Sequence, residues 1–415
     1  MKIKNIQARE ILDSRGCPTV ECVLSLDDGT SVKASVPSGA SVGKLEAVEL
    51  RDGDKKRYSG KGVLQAIKNI ENIISPALEN KNIDLQEIDK ILLELDGTEN
   101  KSKLGANAIL SVSIAVLRAQ ALQENLPLYK LISKLCGSEK TNIPKIMFNI
   151  LNGGAHADNG IEFQEFMIMP LKTESASESI RIAAEIYAQL KKILRENGYS
   201  VGVGDEGGFA PTLKGASGSK EREALLLLTK AIEGAGYRAG EDVAFCLDVA
   251  ASQFYDEKLN KYELNNQKIS AQQLIDVYKK LCDEFPIISI EDGLAEEDWS
   301  GWKLLTQQLG EKIQLVGDDI FVSNKKIIEK GIEEKISNTV LIKPNQVGTV
   351  TETFAAIEVC KKNNYKIVVS HRSGETADTF IADLVVGTNA GQFKCGACAR
   401  GERVVKYNRL MEIEV

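Results

Sequence analysis

The chain has 415 residues, 43% hydrophobic and 27% charged, with a formal net charge of -7. This composition is globular with ample material for a large core, and the length predicts two or three domains, or a barrel plus an extra domain. The acidic balance excludes a wholly basic nucleic-acid binder, so nucleic acid is not an expected partner. The opening MKIKNIQAREILDSRG has no apolar signal-peptide core, and no run is apolar enough to span a bilayer, which predicts a cytoplasmic location.

Residues 1–35 alternate apolar and polar positions around an Asp-Asp-Gly turn, predicting a three-stranded antiparallel meander. A loop of small residues follows, PSGASVG, and then helical periodicity over 62–79, 84–95 and 103–125. This first part is expected to form an N-terminal α+β domain over 1–130, with 126–144 as the boundary segment. From 140 to 415 the pattern changes to short apolar runs alternating with amphipathic helices. The runs lie at 243–250, 287–292, 313–319, 339–345, 366–372 and, more weakly, 391–397. They lack polar alternation, as parallel strands buried on both faces do. Six such units in succession predict a C-terminal (β/α)₈-type barrel rather than an open sheet. In that architecture functional groups sit at the C-terminal ends of the strands. Here those ends carry Asp248, Glu291, Asp318, Lys343, His371 and Lys394.

These residue types point to a chemistry. Asp248, Glu291 and Asp318 on neighbouring strands would repel and desolvate one another unless a cation joined them. An all-oxygen ligand set suits magnesium better than zinc. Lys343 and Lys394 flank the acids. Bound metal charge, a second lysine and burial would each lower a lysine pKa, making an amine base possible. His371, Arg372 and Ser373, in SHRSGET, read as a phosphate site, because arginine offers a bidentate fork. Glu206, in the turn GDEGGF, is a candidate general acid. His156, Gln164 and Glu165 belong to a further loop, where His156 could meet phosphate or a leaving group and Glu165 could orient Glu206 or a water. Ser41, between Gly39 and Gly43, could lie on a closing lid and offer its hydroxyl to metal or phosphate. The eight cysteines are scattered, which predicts reduced, mostly buried thiols; the only close pair is Cys395-Gly-Ala-Cys398.

The motifs DSRGCPTVE, PSGASVG, LGANAIL, NGGAHADN, GDEGGF, SIEDGL, VGDDIFVSN, LIKPNQVGT, SHRSGET and FKCGACARGER occur in the order and spacing of the enolases. The chain resembles a bacterial-type enolase along its whole length. The resemblance implies two magnesium ions: Asp248, Glu291 and Asp318 holding the first, Ser41 helping with the second. It implies that Lys343 removes the C2 proton of 2-phosphoglycerate. Glu206, supported by Glu165, would protonate the departing C3 hydroxyl, giving phosphoenolpyruvate. Arg372 and Ser373 would bind phosphate, and Lys394 the carboxylate and enolate charge. His156, Gln164 and His371 would line the pocket, with Glu291 and Asp318 also meeting substrate. Homodimers or octamers are implied as well. Cys17, Val42, Cys395 and Cys398 depart from the usual motifs, and none of them carries an assigned role. Two other readings stand beside this one: a related lyase acting on a different hydroxy acid, and a secondary cell-surface or scaffolding role.

Overall fold

In a computed structural model, residues 1–39, 43–138, 140–215 and 218–414 are described. Ser41 and Val42, the lid residues singled out above, lie outside them.

The N-terminal meander forms as expected. β1 (Ile3–Leu12), β2 (Pro18–Leu26) and β3 (Ser31–Ser35) pair antiparallel in the order β1-β2-β3. The helix Ala106–Gln123 packs across β2 and β3 and is buried along most of its length. Helices from Leu64–Asn69 through Ser75–Leu78, and Leu85–Asp96, complete this layer. The segment read as a boundary carries a further helix, Leu128–Leu135, with an apolar stripe that packs on the helix Phe380–Gly387.

The rest of the chain builds a closed eight-stranded barrel. Its strands are β4 (Lys145–Asn152), β5 (Glu165–Pro170), β6 (Val243–Asp248), β10 (Ile287–Glu291), β11 (Gln314–Gly317), β12 (Thr339–Ile342), β13 (Lys366–Ser370) and β14 (Gly391–Lys394). Between β6 and β10 a small sheet of β7 (Tyr255–Asp256), β8 (Lys261–Leu264) and β9 (Gln267–Ile269) stands apart from it. All six apolar runs are barrel strands. Two strands escaped the sequence reading, β4 and β5, and they refine the expected architecture. No helix separates them beyond one short 3₁₀ turn, and β5 runs antiparallel to both β4 and β6.

The barrel interior is filled by Met147, Met167, Met169, Cys246, Val316, Leu341 and Val368. Unbranched, polarizable methionines fill the irregular space where the reversed strand meets its parallel neighbours. The outer faces of the strands pack on the surrounding helices in one large core. Among the described residues, no helix is long and apolar enough to cross a membrane.

Candidate active site at the barrel mouth

One pocket of about 560 Å³ opens at the mouth of the barrel, and most of the predicted residues line it: His156, Gln164, Glu165, Glu206, Asp248, Asp318, Lys343, His371, Arg372, Ser373 and Lys394. Glu291 lies just beneath, 2% exposed, hydrogen-bonded to Lys394. Strand direction explains the convergence. Asp248, Glu291 and Lys394 are the last residues of β6, β10 and β14, and Asp318, Lys343 and His371 directly follow β11, β12 and β13. Glu165 is the first residue of β5. It reaches the same rim because β5 is reversed, which pairs it with Asp248 on one side and Asn152 on the other.

Lys394 is the hub. Its Nζ lies 3.1 Å from Glu165, 3.0 Å from Asp248 and 2.8 Å from Glu291, with all four side chains buried. Burial pushes this ammonium toward neutrality, but the surrounding carboxylates outweigh it and hold its pKa well above the lysine range. Glu291 is pushed up by burial and by Asp248 beside it. Gln164 donates to Asp248 Oδ2 at 3.2 Å, and the Ala250 amide donates to Asp248 Oδ1 at 3.1 Å.

Lys343 donates to Asp318 Oδ2, and Gln346 Nε2 donates to Asp318 Oδ1 at 3.1 Å. Here the contact with Asp318 runs against the lowering expected from burial and the second lysine. Burial does favour the neutral amine, and Arg372 and Lys394 add to it, but Asp318 outweighs them and holds Lys343 above its ordinary value. The same contact holds Asp318 low against the effect of burial.

Lys394 stands between Asp248 and Glu291. Among the described residues the tightly gathered carboxylates are Asp292, Asp318 and Asp319, whose ligand oxygens lie within 4.8 Å of one another. Asp292 adopts φ +43° and accepts the Asp318 and Asp319 amides at 2.9 and 3.0 Å, so it shapes the turn after β11. Burial, then Asp318, pushes the Asp319 carboxyl up to about 7. The donors at this mouth are nearly all carboxylate oxygens, and the carboxylates outnumber the cations touching them. Such a set fits a hard divalent cation.

A second cluster surrounds Glu206. Its Oε2 accepts from Asn149 Nδ2 at 3.1 Å and lies 3.3 Å from His371 Nε2. His156 stands between Glu165 and Glu206, with Nδ1 and Nε2 each 3.7 Å from a carboxylate oxygen. Burial, and then the charge of Glu206, pushes Glu165 well above the carboxylate range. Burial chiefly drives His371 down to about 3. Glu206 is held low although burial raises it, by His371 first, then His156 and Arg403. A neutral imidazole exerts little of that pull. His371 is buried and accepts a hydrogen bond from a guanidinium, so it is the neutral partner, and Arg403 is the lasting positive charge near Glu206.

Arg372 forms a fork on Glu46, with contacts of 3.0 and 3.2 Å, and reaches Asn345 at 3.1 Å. Beside it, paired amide bonds join Ser38 and Gly374. A Cβ on Gly374 would stand 2.3 Å from Asp13 Oδ2, so only glycine permits this approach. Sequence reading missed Asn149, Asp292, Asp319, Glu46, Gln346 and Arg403. The acidic doublets of SIEDGL and VGDDIF were a signal for Asp292 and Asp319, whereas the others carried none.

Residues 140–415 match the family described as the enolase C-terminal TIM barrel domain, and residues 3–132 match the enolase N-terminal domain. With both matches in chain order over almost its whole length, and the barrel mouth built as above, the chain belongs to the enolase family and is an enolase-type lyase.

Proposed function

We propose that the chain catalyses the reversible dehydration of 2-phosphoglycerate to phosphoenolpyruvate, the glycolytic and gluconeogenic enolase reaction. The observation that carries this reading is a single pocket that brings Lys343 and its acidic neighbours together with the Glu165–Glu206 pair and with Arg372 and Ser373. Asp248, Glu291 and Asp318 would hold one magnesium ion, and Ser41 would contribute to a second. Bound magnesium supplies Lewis-acid stabilisation of the enolate charge that develops beside the substrate carboxylate.

Lys343 takes the C2 proton. It can do so only as a free amine, which burial, Arg372 and Lys394 favour and the contact with Asp318 opposes. Glu206 gives a proton to the departing C3 hydroxyl, which leaves as water. Glu165, on the far side of His156, supports Glu206 in that role. Lys394 pairs with the substrate carboxylate, and Arg372 with Ser373 holds the phosphate. Assembly as a homodimer or octamer and a cytoplasmic location belong to the same reading and rest on family membership. Sedimentation velocity tests the first.

The direct test is growth of phosphoenolpyruvate absorbance when 2-phosphoglycerate and Mg²⁺ are added, with and without a chelator. Metal-dependent turnover is expected, and folded protein without it would end the reading. Lys343→Ala should lose solvent exchange of the C2 proton. Glu206→Gln should keep that exchange and lose dehydration. Exchange at the parent rate in Lys343→Ala would remove Lys343 as the base.

A further inference from the structure

Arg403, on the last helix (Gly401–Glu414), is fully buried with 0% exposure, an unusual position for a guanidinium. Its Nη1 donates to His371 Nδ1 at 2.5 Å and to the Arg372 carbonyl at 2.6 Å. Its Nη2 donates to the Ser373 carbonyl at 2.6 Å and, at 3.3 Å, to that of Asp205. One side chain thus ties the candidate phosphate loop to the turn that carries Glu206.

The contact with His371 has a chemical consequence. A guanidinium is always charged and only donates. His371 Nδ1 must therefore present its lone pair, and the single ring proton of the neutral imidazole must sit on Nε2. Nε2 faces Glu206 Oε2 across 3.3 Å. Asn149 Nδ2 donates to that same oxygen at 3.1 Å. Glu206 Oε2 therefore accepts from Asn149 and has the protonated edge of His371 beside it. Oε1 lies 3.7 Å from His156 Nε2.

We propose that Arg403 is a positioning residue that fixes the tautomer of His371, so that its ring proton sits on Nε2, the nitrogen beside Glu206 Oε2. Arg403 touches no reacting atom and acts through His371. The tautomer stands on geometry alone. Its effect on turnover rests on the function proposed above.

The chain has only two histidines, so ¹⁵N-histidine labelling gives two imidazoles, which His156→Asn assigns. In the parent protein, His371 should show an unprotonated Nδ1 and a protonated Nε2, unchanged between about pH 5 and 8. In Arg403→Met that pattern should become a tautomer mixture or titrate within the same window, and Arg403→Lys, which keeps a donor, should restore it. Dehydration should fall about 100-fold in Arg403→Met, the scale of a misplaced general acid, while C2 proton exchange stays near the parent rate. A merely structural role would raise KM and leave the tautomer intact. A proton on Nδ1 in the parent, or an unchanged tautomer in folded Arg403→Met, overturns the proposal. Should Arg403→Met fail to fold, the parent spectrum still decides. A correct tautomer in a protein without dehydration activity would refute the function and leave the assignment of Arg403 standing.

Discussion

Replacing Lys394 by methionine removes the one ammonium that Glu165, Asp248 and Glu291 share, at 3.1, 3.0 and 2.8 Å. At an effective dielectric of ~20, each such contact is worth about 5 kcal/mol of attraction. Desolvation of the ammonium, and repulsion among the carboxylates it draws together, offset most of that sum. Breaking a buried pair by removing one partner leaves a net loss of ~3–5 kcal/mol. The carboxyls can escape part of the penalty by binding protons, and Glu165 and Glu291 are already held well above the usual range. Their folded pKa values lie above the unfolded ones, so they support stability at low pH and withdraw that support as pH rises. The deficit of Lys394→Met should therefore be small near pH 5 and reach ~3–5 kcal/mol near pH 8. A divalent cation can take over the role of the lost ammonium. Mg²⁺ at a hundredfold excess over the variant's Kd should then stabilise the variant by ~3 kcal/mol, and the same concentration should stabilise the parent by less, because Lys394 competes for the same carboxylates. The assay is urea unfolding of both proteins at the two pH values, in chelator and in Mg²⁺. Equal stability near pH 8 in chelator, or an equal Mg²⁺ effect on both proteins, would refute the reasoning.

Three further outcomes are expected. His371 is held at about 3, against 6.5 for a free imidazole, chiefly by burial. The unfolded chain therefore binds the extra proton between those values, and the folded protein loses ~1.4 kcal/mol per pH unit as pH falls through that window. His371→Gln should flatten this acid limb, read from urea midpoints across it. A Cβ on Gly208 would stand 1.9 Å from Asn152 Oδ1 and 3.1 Å from the Asn149 carbonyl. Gly208→Ala should destabilise by ~1–3 kcal/mol and lower kcat more than KM, because Asn149 holds Glu206. Burial pushes Cys395 and Cys398 up to about 12, so both remain thiols at neutral pH. Mild peroxide should leave turnover unchanged, and a loss reversed by reductant would point to a redox role instead.

The parts of the fold that were legible share one cause. β6 and β10 to β13 are covered on both faces, so each had to be a short apolar run, and the helices between them had to show a stripe. Once those runs were aligned, the polar residue ending each one fell at the mouth, which gave Asp248, Glu291, Asp318, Lys343, His371 and Lys394. β4 and β5 are as apolar as the others. Their link is a glycine-rich loop rather than a helix, so they broke the strand–helix rhythm and merged with the loop that carries His156. Glu165 accordingly looked like a loop residue, when it is the start of a reversed strand. Arg403 was harder still. An arginine on a terminal helix usually faces water, and nothing local distinguishes this one. Its burial is decided by contacts to Asp205, His371, Arg372 and Ser373, all distant in sequence.

Lys343 shows where composition misleads even when position is right. Its lowering was expected from bound metal charge, a second lysine and burial, and the last two do favour the neutral amine. What that argument lacked was the direct contact with Asp318, which reverses the net direction. The same contact holds Asp318 low, so the pair favours a charged lysine beside a charged aspartate. Any change that drew Asp318 away would leave burial, Arg372 and Lys394 to push Lys343 toward the neutral amine.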